Sequence, residues 1–298
     1  MPSIVRHVAA ADGTDLLVRH WPADEAEAGG AWAGSPWGHV LLVHGLGEHS
    51  GRYEHVGDQM TGAGLEVSAY DHRGMGGSGG RRGDVESWSQ YHDDLAERLG
   101  EVRAAAHDRP VVLYGHSLGG LITAGYLLSD RPKPDLVVLT SPALDSTIPG
   151  WKRRVAVVAA KVRPTASLAN DIDGATLSRD PSVAAKGAND PLCVKVSTVR
   201  FGAEALAEQA RVRAGAPAGF GLPALVFHGL DDGLVPAEAS EILEGAPLVE
   251  RRTYPGLRHE LHNEPEGPEV IDAIVAWLRQ QAAGEPVGSA GRESAEAS

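Results

Sequence analysis

The chain of 298 residues has a single cysteine, Cys193, so no intramolecular disulfide framework exists and a reducing compartment is the expected setting. It is also short of positive charge. Against 40 acidic residues stand 27 basic ones, a formal net charge of −13, which argues against general affinity for nucleic acid or anionic lipid headgroups. No uninterrupted apolar run approaches the length of a membrane-spanning helix, and the first twenty residues alternate and carry charge where a secretory signal would need an apolar core. The expected location is therefore the cytoplasm. Thirteen histidines are present, but neither an H-E-x-x-H run nor a cysteine-plus-histidine ligand spacing appears, so no metal is expected.

What is present is a rhythm. Apolar runs at 39–44, 65–70, 110–115, 135–140, 223–228 and, more weakly, 248–254 are separated by segments long enough for helices, the pattern of a largely parallel sheet covered on both faces. Residues 4–21 read as an antiparallel edge hairpin turning at Asp12-Gly13, and residues 22–38, rich in Ala, Gly and Pro, as a surface loop. The length fits one large domain: a core of 1–142 and 221–282, with 143–220 inserted as a helical cap, since the strand rhythm stops there. Within the cap, Trp151–Pro164 and Leu192–Ala214 read as helices. The tail 283–298 offers little to bury and is expected to be disordered.

Chemistry enters at Gly115-His116-Ser117-Leu118-Gly119, which follows the strand Val111–Tyr114 and precedes a helix-like segment, Leu118–Leu128. A strand, a sharp turn carrying serine between two glycines, and a helix make a nucleophile elbow, with Ser117 exposed at its tip. A serine hydroxyl becomes a nucleophile when an imidazole takes its proton and a carboxylate orients that imidazole. Both partners are available downstream. Asp231 and Asp232 lie on the loop after the strand 223–227, and His259 lies on the loop after the last strand, the expected base. An oxyanion hole needs two backbone N–H groups: that of Leu118, after the nucleophile, and one from the glycine-rich loop His44-Gly45-Leu46-Gly47, with Leu46 the expected donor.

Four segments together resemble the monoacylglycerol lipase and lysophospholipase branch of the α/β-hydrolases: HGLGEHSGRY at 44–53, YDHRGMGGS at 70–78, GHSLGG at 115–120 and HELHNEPE at 259–266. The likeness runs from about residue 10 to 280 and is weakest in the cap. It implies an α/β-hydrolase fold, a mostly parallel central sheet flanked by helices with an inserted helical cap. It implies Ser117 as nucleophile, Asp232 (with Asp231 as the fallback) as acid, His259 as base, and Leu46 and Leu118 as oxyanion donors, without cofactor or metal. The expected activity is hydrolysis of a monoacylglycerol ester, a small-molecule lipid, through an acyl-serine intermediate. Lysophospholipase, broad carboxylesterase and a non-catalytic lipid binder are the alternatives.

The resemblance also places Glu48, Arg52 and His262 around the glycerol moiety. The competing reading is a Glu48–Arg52 pair at i, i+4 and an exposed His262. The 71–80 loop reads as structural support, and Cys193 as a small packed residue. Trp151 to Arg163, apolar with basic flanks, reads either as an interfacial helix touching membranes or as a cap helix packed on the core. Epoxide hydrolase and dehalogenase chemistry is disfavoured, because those relatives carry aspartate where this chain has Ser117.

Overall fold

The computed structural model describes residues 3–23, 35–146, 149–170 and 172–284. Most of the expected 22–38 loop and nearly all of the 283–298 tail lie outside the described residues. Eight strands form one sheet: β1 (Ile4–Ala9), β2 (Asp15–Trp21), β3 (Gly38–Val43), β4 (Leu65–Tyr70), β5 (Val111–His116), β6 (Leu136–Thr140), β9 (Ala224–Gly229) and β10 (Val249–Tyr254), in spatial order β1-β2-β4-β3-β5-β6-β9-β10. The β1–β2 hairpin pairs antiparallel to β4 and the remaining strands run parallel.

The interior strands are buried along their whole length because helices cover both faces. Leu41, Val43, Leu113, Val137, Leu139 and Val226 point to one side, where α2 (Ser89–Ala106) and α3 (Leu118–Leu127) supply Leu95, Leu99, Leu121 and Ile122. Their neighbours Val40, Leu42, Val112, Val138 and Leu225 point to the other, against Val56 and Met60 of α1 (Glu54–Gly62) and Ile271, Ile274 and Trp277 of α7 (Gly267–Ala282). The alternation has the two-residue period of a strand, and both halves are apolar. The expected strand positions, the hairpin and the fold class agree with this sheet.

Between β6 and β9 the chain leaves the sheet and forms α4 (Gly150–Val162), β7 (Ser167–Ala169), α5 (Pro181–Asn189), β8 (Val196–Thr198) and α6 (Val199–Gly215). Three details differ from the sequence expectation. A two-stranded antiparallel ribbon, β7 with β8, sits in a segment expected to be helical. The last helix starts at Val199, where the Thr198 hydroxyl caps it, and not at Leu192. An unexpected helix, α5, begins at Pro181 behind the Asp180 cap.

Candidate active site

Ser117 sits between β5 and α3 with φ 51° and ψ −114°, a left-handed conformation that a non-glycine residue holds only when its surroundings impose it. The surroundings are visible in the flanking glycines. A Cβ on Gly119 would lie 2.0 Å from the Val43 carbonyl oxygen, and one on Gly115 2.6 Å from the Thr123 hydroxyl. Close backbone approach therefore folds the elbow and lifts Ser117 toward the carboxyl edge of the sheet.

On that edge the structure brings Ser117, His259 and Asp232 into one hydrogen-bonded chain. The Ser117 hydroxyl lies 2.9 Å from His259 Nε2, and His259 Nδ1 lies 2.7 Å from Asp232 Oδ2. The order fixes the tautomer: Nδ1–H donates to the carboxylate, leaving Nε2 to accept the serine proton. Asp232 is held as an acceptor on all sides, its Oδ1 taking the Leu234 and Val235 N–H groups at 2.9 Å each, and His228 Nε2 approaching Oδ2 at 3.3 Å. Burial alone would raise this carboxyl, but the hydrogen bonds from His228 and His259 outweigh it and hold it far below the usual carboxylate range. Asp231, the fallback, is exposed at the turn with its N–H bound to the Leu257 carbonyl.

Leu118 starts α3, and Leu46 lies in the loop that leaves β3. Neither N–H meets a protein acceptor among the described residues, while the groups around Leu46 are pinned. The Gly45 N–H donates to Glu48 Oε1 at 2.5 Å, His44 Nδ1–H to the Gly45 carbonyl at 2.8 Å, and the Val194 N–H to the Gly47 carbonyl at 2.8 Å. A loop fixed on both sides of a free N–H is a preorganised donor.

Beneath this loop the three expected pocket residues meet. Glu48 Oε1 also accepts the Tyr53 hydroxyl at 2.6 Å, Glu48 Oε2 lies 3.3 Å from Arg52 Nε, and Arg52 Nη2 reaches Glu260 Oε2 at 3.0 Å. The i, i+4 pairing weighed from the sequence is thus present, and it is buried. His262 is buried too, stacked on Tyr53 at 4.8 Å between ring centroids and edge-on to His116 at 5.0 Å, with neither ring nitrogen hydrogen-bonded. Burial holds His262 well below its usual range, so the ring is neutral. Burial and the facing Glu48 raise the Glu260 carboxyl, whereas at Glu48 burial is outweighed and the carboxyl brought down, the Arg52 guanidinium and the Tyr53 hydroxyl acting on it. One guanidinium is therefore shared by an ionised Glu48 and a more readily protonated Glu260.

Sequence reasoning missed Tyr53, His116, His228 and Glu260. Glu260 stood inside the quoted HELHNEPE segment, next to the base, and that adjacency was the available signal. The others become visible only when β5, β9 and the loop after β3 are adjacent. The cap supplies further support: His49 Nε2–H donates to Asp190 Oδ2 at 2.8 Å, and the Glu260 N–H donates to the Leu177 carbonyl at 2.7 Å.

A family profile described as serine aminopeptidase, S33, matches residues 34–266. The monoacylglycerol lipase of Mycolicibacterium smegmatis is 35% identical over 251 residues, covering 82% of this chain and 88% of that protein. The monoglyceride lipase of Homo sapiens is 31% identical over 290 residues, 93% of this chain and 91% of the human protein. Among solved structures, the monoacylglycerol lipase of Paleococcus ferrophilus superposes with a TM-score of 0.73 at 34% identity, covering 82% of this chain and 95% of that one. The chain belongs to the serine aminopeptidase S33 family and, within the α/β-hydrolases, to the monoacylglycerol lipase branch.

Proposed function

We propose that this protein hydrolyses monoacylglycerols to fatty acid and glycerol with Ser117, His259 and Asp232 as its catalytic triad. The observation that carries this reading is the unbroken chain Ser117 Oγ, His259 Nε2, His259 Nδ1, Asp232 Oδ2, at 2.9 and 2.7 Å. His259 takes the serine proton as Oγ attacks the ester carbonyl, and the N–H groups of Leu46 and Leu118 receive the oxyanion. The proton passes from His259 to the glycerol oxygen, which leaves. His259 then deprotonates a water that attacks the acyl-Ser117 carbonyl, and returns the proton to Ser117 as the fatty acid departs. Glu48, Arg52 and His262 form the polar end that receives glycerol, the two His262 ring nitrogens offering hydrogen-bonding atoms without partners among the described residues.

The test is a competitive panel of monoacylglycerols of different chain length, a lysophospholipid, a short soluble ester and an aminoacyl anilide, run beside Ser117→Ala. Monoacylglycerol should win by kcat/KM, and Ser117→Ala should lose activity toward every member. Preference for the lysophospholipid or the anilide overturns the substrate, and full activity in Ser117→Ala overturns the nucleophile.

The cap is proposed to touch lipid surfaces. Along α4, Trp151, Val155, Val158 and Val162 form an exposed stripe at helical spacing, with Val162 at 75% exposure, so this face does not pack on the core. No helix of the described residues is long and apolar enough to cross a membrane. Val155→Asp with Val158→Asp should reduce co-sedimentation with vesicles while sparing the short soluble ester; undiminished sedimentation overturns the contact.

A further inference from the structure

At the amino edge of the sheet, across its breadth from Ser117, a second group of chemistry-bearing side chains comes together. The register sets His20 of β2 opposite Ser68 of β4, and His39 of β3 opposite Glu66 of β4. Glu66 and Ser68 are two residues apart, so all four side chains share the α2 face across three adjacent strands. His20 Nε2 lies 3.1 Å from Glu66 Oε1, and Ser68 Oγ lies 3.2 Å from His20 Nδ1 and 3.1 Å from His39 Nε2. One donor atom each from His20, His39 and Glu66 falls within 4.8 Å of the other two. A cavity of about 340 Å³, lined by these residues and walled by Val102 and Ala105 of α2, opens onto the group.

We propose that His20, His39 and Glu66 form a binding site for a divalent transition-metal ion of the Zn²⁺, Co²⁺ and Ni²⁺ class. Two imidazoles and one carboxylate are a nitrogen and oxygen set suited to these ions, whereas Mg²⁺ and Ca²⁺ take oxygen throughout. The 3.1 Å between His20 Nε2 and Glu66 Oε1 is close to the edge of a tetrahedron with ~2.1 Å metal–ligand bonds. The ion replaces the proton shared by that pair, one His39 nitrogen completes the protein ligands, and the cavity leaves room for water. Ser68 Oγ, within reach of both rings, is the outer partner that orients them.

Charge favours and opposes in identifiable places. His39 is buried, whereas His20 and Glu66 are only partly buried and open the group to the cavity. Arg109 acts on both His39 and Glu66 and repels an incoming cation. Arg6, Arg98 and Glu101 complete the charged lining. The rival cluster, His49, Asp190 and Cys193, is less suited. His49 Nδ1 accepts the Gly51 N–H at 3.1 Å, so its Nε2 carries the proton given to Asp190, and a metal there would require an anionic ring. An ion at the amino edge ties the antiparallel strand β2 to β4 and β3, stabilising the fold apart from the ester chemistry.

The experiment uses the full chain stripped with chelator, titrated with Zn²⁺ by calorimetry and with Co²⁺ by visible absorption. One equivalent should bind, Zn²⁺ should raise the melting temperature, and the Co²⁺ spectrum should show the intense band of a four-coordinate site. Glu66→Gln and His20→Ala, on partly exposed positions, should each weaken binding about ten-fold or more while leaving short-ester hydrolysis intact. Arg109→Gln should tighten it. No saturable binding, unchanged affinity in Glu66→Gln, or loss of binding in Cys193→Ser with Glu66→Gln unaffected each overturns the proposal.

Discussion

Ser117 holds φ 51° because its neighbours leave no alternative, and the burden falls on Gly119 more than on the serine itself. With 2.0 Å between a new Cβ and the Val43 carbonyl, which is backbone and cannot rotate away, Gly119→Ala must push α3 off β3. The expected result is a destabilisation of about 3 kcal/mol or more together with loss of fluorophosphonate labelling at Ser117, read by melting and by gel. A normal melting temperature with full labelling contradicts it. Asp232→Asn makes a sharper distinction, since the amide preserves the shape but donates where His259 Nδ1–H needs an acceptor. On the proposed roles kcat falls roughly 10³–10⁴-fold with the fold intact. The elbow and both aspartates were readable as candidates because each follows a strand that announces itself by an apolar run, and His259 through the HELHNEPE segment after the weaker, charged last strand. Glu260, Tyr53 and His228 were not, because their importance lies in what they face: a guanidinium, a carboxylate and the acid, each from another element.

At the scale of elements, the strands were readable and the cap was not, for a physical reason. β3, β5 and β9 are buried on both faces and must be continuously apolar, whereas β7 is three exposed residues whose partner lies nearly thirty residues away in sequence. Pairing of that kind leaves no local trace. Yet the segment from α5 to β8 reaches the proposed chemistry: Val194 N–H holds the Gly47 carbonyl beside the Leu46 donor, Asp190 holds His49, and Thr198 N–H holds the Gly83 carbonyl. This inserted segment therefore braces the loop that carries the proposed oxyanion donor Leu46. Asp190→Ala removes the partly buried hydrogen bond from His49, worth about 1 kcal/mol, together with the exposed one from the Leu192 N–H, and is expected to lower kcat about five-fold on a short ester with little change in KM. A cap acting only as a substrate funnel would move KM and leave kcat alone.

The whole molecule is built around neutral imidazoles, and this sets its response to acid. Burial lowers His39 to about 4 and His116 to about 3, and drives His44, His72 and His262 below their ordinary range as well. In the unfolded chain each titrates near 6.5, so between that pH and the folded value the unfolded state binds more protons than the folded one. The sign follows directly: stability is complete above about pH 6.5 and is lost as pH falls, each histidine contributing up to about 1.4 kcal/mol per pH unit. His55 is lowered by burial in the same way, so Asp94 and Glu260, raised by burial and acting in the opposite direction, are two groups against six. Asp232, strongly depressed, adds its loss only below the ordinary aspartate range. The sequence isoelectric point of about 5.4 lies inside this window, so aggregation must be kept apart from unfolding by working dilute and checking reversibility. Urea unfolding by tryptophan fluorescence should then give a midpoint that is flat from pH 8 to 7 and drops steeply from about 6.5 to 4.5, with proton uptake of more than one per molecule. A midpoint unchanged between pH 7 and 5 would mean that these imidazoles are hydrated or charged in the folded protein, and that the packing of His116 and His262 around Tyr53 is looser than the 4.8 and 5.0 Å ring contacts imply.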